Sequence, residues 1–284
     1  MAETSPIAII CGGGPFPFSV ADAALRTGRK VHLMPIEGWA DRDRVAAYPH
    51  DWVPVGQYGR MVRVARNAGA RDIVFIGTLV RPSLKDIRLD WKTIKILPRI
   101  YRAFRGGDDH LLRNIGKIFE DDGFRMLGAH EVAPEILAPA GDAGRVRPSA
   151  QDIVDAKLGL AVLDAMGPFD VGQAVVVTDN VVLAVEAAEG TDRMLQRIAA
   201  LRRDGRIKVS AGRGVLVKAA KPTQDRRFDL PSIGPTTIAN VKEAGLAGIA
   251  VRAGEVIVAE FTAVTEAADT ANLFVTGLAP SSPP

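Results

Sequence analysis

The chain has 284 residues, 47% of them apolar and 24% charged, with a net charge of +3 and a single cysteine. This composition excludes a disordered or fibrous chain and an internal disulfide, and the charge is too small to point to nucleic acid. No run of about 18 apolar residues occurs, and the opening MAETSP lacks the basic and apolar regions of an export signal, so the expectation is a non-spanning cytoplasmic protein.

The length favours two domains of about 140 residues, and the pattern divides them at residues 1–134 and 145–284, with 135–144 as linker. The chain opens as a βαβ unit. Ile7 to Cys11 is an apolar strand with Cys11 as a small buried hydrophobe, Gly12-Gly13-Gly14 a turn, Phe16 to Arg26 a helix stopped by Gly28, and Val31 to Ile36 a second strand. A helix over Tyr58 to Asn67 leads to a buried parallel strand, Asp72 to Ile76, ending at Gly77-Thr78. Ligands of open α/β sheets sit at such strand ends.

Residues 85 to 105 concentrate the basicity: Lys85, Arg88, Lys92, Lys95, Arg99, Arg102 and Arg105 stand against Asp86 and Asp90. Interleaved Ile87, Trp91 and Ile94 make the segment either a membrane-surface element or a packing element with a charged outer face. A helical pattern through Leu111, Leu112, Ile115, Ile118 and Phe119 follows, then the stretch Pro134 to Gly144, rich in proline and glycine. The second half reads as a helix from Ala150 to Met166 capped by Ser149, strands Ala174 to Val177 and Val181 to Val185 around an Asp179-Asn180 turn, and a helix from about Asp192 to Arg203. A strand Val215 to Lys218, a polar loop Lys221 to Asp229, a helix from Pro235, short strands near Ile249 and Val256, and a final strand Leu273 to Thr276 complete it.

Gly12, Gly13 and Gly14 follow a strand and open a helix, so amides and a helix dipole are placed to receive phosphate. A dinucleotide fingerprint would need glycine where Pro17 stands, which disfavours an oxidoreductase. Glu37 is either a ribose-binding carboxylate or a solvated strand-end acid. The charged loop offers Lys218, Lys221 and Arg226 to offset phosphate charge. Asp225, between cations, would stay ionised to bind a metal or orient water; the plain alternative is a solvated charged loop. Thr191-Asp192 and Gly234-Pro235-Thr236-Thr237 are helix starts with or without an anion. His32, His50, His110 and His130 lack metal-ligand spacing, and no serine-hydrolase elbow or P-loop is present.

Several stretches together resemble the UDP-2,3-diacylglucosamine pyrophosphatase family of lipid A biosynthesis, the class unrelated to metallophosphoesterases. They are Gly12 to Pro17, Gly107-Asp108-Asp109-His110-Leu111-Leu112-Arg113, Asp170 to Gln173, Val185 to Asp192, Lys221 to Arg226 and Asp229 to Thr237. The resemblance implies a Rossmann-like N-terminal domain plus a distinct α/β C-terminal domain, and because two domains make a cleft the active site is expected in the interdomain cleft. It implies Mg²⁺-dependent hydrolysis of UDP-2,3-diacylglucosamine to UMP and 2,3-diacylglucosamine 1-phosphate (lipid X), and points to Asp225 as the functional aspartate. Glu186, Glu189 and Asp192 are further metal-ligand candidates. Gly12, Gly13, Gly14, Thr78, Gln173, Thr191, Gln224, Thr236 and Thr237 are substrate-binding candidates, and Lys218, Lys221 and Arg226 charge stabilisers. An acylated substrate also makes peripheral contact with the cytoplasmic face of the inner membrane an expectation. Oligomeric state is left open. The competing reading is a non-catalytic sensor of a nucleotide-sugar lipid.

Overall fold

The computed structural model describes residues 5–79, 88–103, 107–222 and 224–279, with backbone alone at 101–103 and 107–111. Residues 85–87, 104 and 105 of the basic segment, and Thr223 of the charged loop, therefore lie outside the described residues, as do the side chains of Gly107 to Leu111 in the second matching stretch. The chain divides into two compact units, Met1–Pro134 with Asp225–Asp229, and Glu135–Gln224 with Leu230–Pro284.

The first unit contains β1 (Ile7–Cys11), α1 (Phe16–Arg26), β2 (Val31–Pro35), α2 (Arg42–Val45), α3 (Tyr58–Asn67), β3 (Asp72–Ile76), α4 (Trp91–Ala103), α5 (Gly107–Asp121), β4 (Arg125–Leu127) and α6 (Ala129–Val132). Its four strands are parallel in the order β2-β1-β3-β4. All five residues of β1 are buried, as expected of a strand covered on both faces. Tyr58, Val62 and Ala65, spaced by four and three, turn one face of α3 into a core with Ile10, Met34, Ile73 and Phe119. The chain passes from β1 to β2 on one side and returns to β3 on the other, so the order reverses between β1 and β3. In an open α/β sheet that reversal opens a crevice at the carboxyl ends of the strands.

At the opposite end of β3, buried Asp72 takes a bidentate pair from Arg125, Nε to Oδ1 at 2.8 Å and Nη2 to Oδ2 at 2.9 Å, and a further hydrogen bond from Arg29. Burial opposes ionisation there, but the two guanidinium groups outweigh it and hold the carboxyl below its ordinary pKa.

The second unit contains β5 (Gly141–Ala143), α7 (Ala150–Met166), β6 (Ala174–Thr178), β7 (Val181–Val185), α8 (Gly190–Arg203), β8 (Val215–Lys218), β9 (Ser232–Ile233), α9 (Pro235–Glu243), β10 (Gly248–Arg252), β11 (Ile257–Val258), α10 (Phe261–Ala271) and β12 (Phe274–Leu278). The six-stranded sheet runs β5-β12-β10-β8-β6-β7, with β12, β10 and β8 mutually parallel and the flanking strands antiparallel. β9 and β11 form a separate parallel pair. The stretch expected as linker carries β5, whose residues pair with Gly277, Thr276 and Val275 at the sheet edge.

Local chemistry explains several boundaries. Ser149 and Asp152 form a reciprocal capping box at the start of α7. Asp179 and Asn180 both have positive φ, 49° and 63°, which is the turn that joins two twisted strands in two residues. Buried Asp155 accepts both of their backbone N–H groups, at 2.9 and 2.8 Å. Along β8 the side chains alternate: Val215 and Val217 pack on the α7 side, Leu216 on the opposite core with Met194 and Ile198 of α8. Lys218, two residues after Leu216, falls on that α8 side.

Candidate active site

In the first unit, the carboxyl edge of the sheet collects the chemistry-bearing turns. Gly13 and Thr78 exchange backbone hydrogen bonds of 2.8 and 2.9 Å across the reversal between β1 and β3. A Cβ on Gly12 would stand 2.6 Å from the Thr78 carbonyl oxygen, so the close approach needs glycine. Gly14, at φ +88°, supplies the left-handed turn into α1, whose first turn has no side-chain cap. Pro17 has no N–H and the Phe18 N–H donates to the Pro15 carbonyl at 3.2 Å, so in that turn the Phe16 N–H is the amide left without an acceptor among the described residues. Glu37 follows β2 at the same edge, its N–H donating to the Val53 carbonyl at 3.1 Å.

The run Asp225–Asp229 folds into this unit although it is distant in sequence. Phe228 anchors it: its ring fills the place a Cβ on Gly116 of α5 would take, 2.1 Å away, and lies 6.0 Å from the ring of Phe75. Arg227 donates from Nε to Asp225 Oδ1 at 3.0 Å and from Nη2 to Oδ2 at 2.8 Å, and its Nη1 reaches Glu120 at 2.7 Å. The Arg227 backbone N–H also donates to Oδ1, at 3.1 Å. These side-chain bonds from Arg227 outweigh burial and, with Arg113, hold Asp225 below the ordinary carboxylate pKa. The sequence led to the expectation that flanking cations keep Asp225 ionised; the cation that grips it is Arg227, to which the sequence assigned no role. Arg226 beside it is exposed.

The second unit links four of the other candidates, Lys218, Thr191, Glu186 and Gln173, in a chain of hydrogen bonds. Lys218, only 6% exposed, donates from Nζ to Thr191 Oγ1 at 3.0 Å and to the Ser232 carbonyl at 2.9 Å. Thr191 in turn donates to Glu186 Oε1 at 3.1 Å, and Glu186 Oε2 accepts the Gln173 backbone N–H at 3.0 Å. Gly172 lets this approach happen, since a Cβ there would lie 2.3 Å from the Glu186 carbonyl oxygen. Lys221 pairs with Asp170 at 2.5 Å, and the Gln224 side chain accepts the Lys221 N–H at 3.1 Å. Asp170, too, had no role in the sequence reading. Thr237 accepts the Gly234 N–H at 3.3 Å at the start of α9, while Thr236 is exposed.

The carboxylates considered as metal ligands have separate partners. Glu189 pairs with Arg197 at 2.9 Å and Asp192 accepts from Asn240 at 2.8 Å, while Glu186 holds Thr191. Among the described residues, no group of three or more His, Cys, Asp or Glu side chains comes together to hold a metal ion. Mg²⁺ needs no such cage: it keeps several waters and commonly takes one or two carboxylates. Asp225 fits that demand, being ionised and having about four lone-pair sites of which Arg227 takes three.

The position of Glu186 carries a test. Glu186→Gln weakens a charge-assisted hydrogen bond to Thr191 and, if Glu186 only positions Thr191, is expected to lower turnover on the order of 10-fold while leaving unchanged the concentration of any Mg²⁺ that the reaction requires. A rise in that concentration would make Glu186 a ligand instead.

Comparison with known proteins places the chain. Residues 6–136 match the LpxI N-terminal domain and residues 139–276 the LpxI C-terminal domain. The UDP-2,3-diacylglucosamine pyrophosphatase LpxI of Caulobacter vibrioides is 40% identical over 278 residues, 98% of this chain and 99% of that protein. Two solved structures show weak likeness and bear on neither fold nor activity. The UDP-glucose 4-epimerase of Thermus thermophilus in complex with NAD has 12% identity and a TM-score of 0.31 over 98% of this chain and 86% of that one. Glycinamide-RNase-transformylase T from Mycobacterium tuberculosis has 12% identity and a TM-score of 0.23 over 64% and 43%. With both halves matched and a relative aligned end to end, the chain belongs to the LpxI family.

Proposed function

We propose that this protein hydrolyses the pyrophosphate of UDP-2,3-diacylglucosamine, releasing UMP and 2,3-diacylglucosamine 1-phosphate, in a Mg²⁺-dependent reaction. The end-to-end relationship to a pyrophosphatase of that name supports hydrolysis over the sensor reading, and the observation that carries the mechanism is the ionised Asp225 gripped by Arg227. Bound Mg²⁺ would neutralise charge on the phosphate oxygens and make coordinated water more acidic. Asp225 would hold that ion or orient the attacking water, with its own orientation set by the Arg227 fork. Lys218, Lys221 and Arg226 would offset charge developing on phosphorus-bound oxygen. The Gly12–Gly14 turn and Thr78 would take part of the nucleotide or its phosphates, and Gln173, Thr191, Gln224, Thr236 and Thr237 are the remaining candidate contacts. The deciding experiment is UMP release by wild type and by Asp225 variants.

The same reading places the protein on the cytoplasmic face of the inner membrane, where a diacylated substrate and product reside. No helix among the described residues is long and apolar enough to cross a membrane. Surface contact has support from α4, where Trp91, Ile94 and Leu97 are 70%, 46% and 41% exposed, and Lys95 lies over the Trp91 ring at 5.6 Å. Ile96 and Ile100 pack inward instead. Basic residues near an anionic surface contribute about 1 kcal/mol each. Trp91→Ser combined with Lys95→Gln and Arg99→Gln is therefore expected to lower partitioning to phosphatidylglycerol-containing vesicles by at least about 10-fold, read by co-sedimentation. Unchanged sedimentation would remove α4 as the contact.

A further inference from the structure

β4 delivers the chain to the carboxyl edge of the first unit's sheet at Gly128, and α6 carries His130 just beyond. Glu131 Oε2 accepts the Gly128 N–H at 2.5 Å and closes the turn. A Cβ on Gly128 would stand 2.4 Å from His130 Cε1, 2.7 Å from its Nδ1 and 3.2 Å from the Cα of Arg227. The imidazole and the Asp225–Asp229 run are therefore packed against the same glycine, and His130 shares its surroundings with the functional aspartate's segment.

Two observations fix the chemical state of the ring. His130 Nδ1 is buried with no hydrogen-bond partner. A buried, unpartnered N–H is costlier and rarer than an under-satisfied acceptor, so the proton belongs on Nε2 and Nδ1 is the bare lone pair. Burial, and after it the charge of Arg226, push the ring's pKa below its ordinary value against the opposing pull of Glu131. The ring is a neutral Nε2–H donor at neutral pH. Nε2 makes no hydrogen bond among the described residues and is not sealed off as Nδ1 is.

A neutral donor held on a packed ring, beside Arg226, at the strand ends where open α/β sheets take ligands, suits an anionic oxygen. We propose that His130 is a further substrate-contacting residue, donating Nε2–H to a phosphate oxygen of the bound nucleoside diphosphate and retaining that contact with the nucleoside monophosphate product. The inference rests on the hydrolase reading above and adds to it a residue that neither the sequence pattern nor metal-ligand spacing singled out.

The test uses the full-length protein and UMP as probe. Side-chain ¹⁵N spectra of wild type, with the His130 signals assigned from His130→Gln, should show the Nε2–H tautomer, and its Nε2 and proton resonances should move on saturation with UMP. His130→Phe keeps a packed ring without the donor and should weaken UMP binding in calorimetry by about 10-fold and kcat/KM by 10- to 100-fold. His130→Gln, whose Nε2 can reach the same place, should stay within about 3-fold of wild type on both. A proton on Nδ1, or resonances that ignore UMP, would overturn the proposal without recourse to any variant. So would a folded His130→Phe that binds UMP and turns over like wild type. Failure of the hydrolase reading looks different: wild type would then release no UMP whatever its His130 signals do.

Discussion

Asp225→Ala is expected to lower kcat by at least about 10³-fold while the protein still folds, because it removes the one carboxylate proposed to hold the ion or orient the water. The structure also says what else changes. Arg227 would keep Glu120 but lose three hydrogen bonds to Asp225, a loss of about 1–3 kcal/mol in stability. Asp225→Asn preserves the shape and leaves an amide oxygen for Arg227. It should be as inactive as the alanine variant but closer to wild type in its thermal midpoint, which separates chemistry from scaffolding.

The pH dependence follows from the same pair. The folded pKa of Asp225 is depressed by Arg227, so its ionised form persists to below the ordinary aspartate value of about 3.9. The stabilisation it brings is present above that value and is lost only as pH falls through the lower, folded pKa. An acid limb in kcat near pH 6 would therefore belong to another group.

Lys218→Met is expected to have the second large effect. Its ammonium is buried and holds Thr191 at the first turn of α8 and the Ser232 carbonyl at the start of β9. Methionine fills similar space but strands the Ser232 carbonyl and leaves Glu186 without a nearby cation relayed through Thr191. A loss of about 1–3 kcal/mol in urea unfolding should accompany a fall in kcat/KM of about 10²- to 10³-fold. Lys218→Arg should not rescue the rate, since a guanidinium cannot occupy an ammonium site this enclosed without moving both partners. Wild-type kcat/KM in a folded Lys218→Met would confine Lys218 to a structural role.

The sequence revealed those elements whose information is local. β1, α3, β3, α7 and β8 have apolar runs or helical spacing bounded by glycine or a serine cap, and the structure places them at the expected residues. β4 and β5 were not legible: each is three residues long, and β5 exists only because Gly141, Asp142 and Ala143 meet β12 more than 130 residues away. α10 is masked by its many Ala and Thr residues, and α8 begins at Gly190, two residues before the expected start, because Gly190 takes a positive φ that turns the chain into it.

The site divides the same way. Asp225 could be read as a carboxylate among cations, but adjacent Arg226 and Arg227 are equivalent as letters. Only the turn of the run, which brings residue 227 back over 225 and sets Phe228 against Gly116, decides which arginine grips it. Glu186, Thr191 and Lys218 were each legible as polar residues after strands. Their linkage depends on Lys218 falling on the α8 face of β8, a consequence of strand alternation that needs the register to be known. Asp170 and Lys221 meet across 51 residues, beyond the reach of any spacing argument.

The most direct measurement is UMP release from UDP-2,3-diacylglucosamine by wild type, with Mg²⁺ and with the metal chelated, beside Asp225→Asn under both conditions. The expected result is turnover by wild type that requires Mg²⁺ and is absent from the folded variant. Absence of UMP from folded wild type supplied with Mg²⁺, or equal turnover by Asp225→Asn, would contradict the central claim.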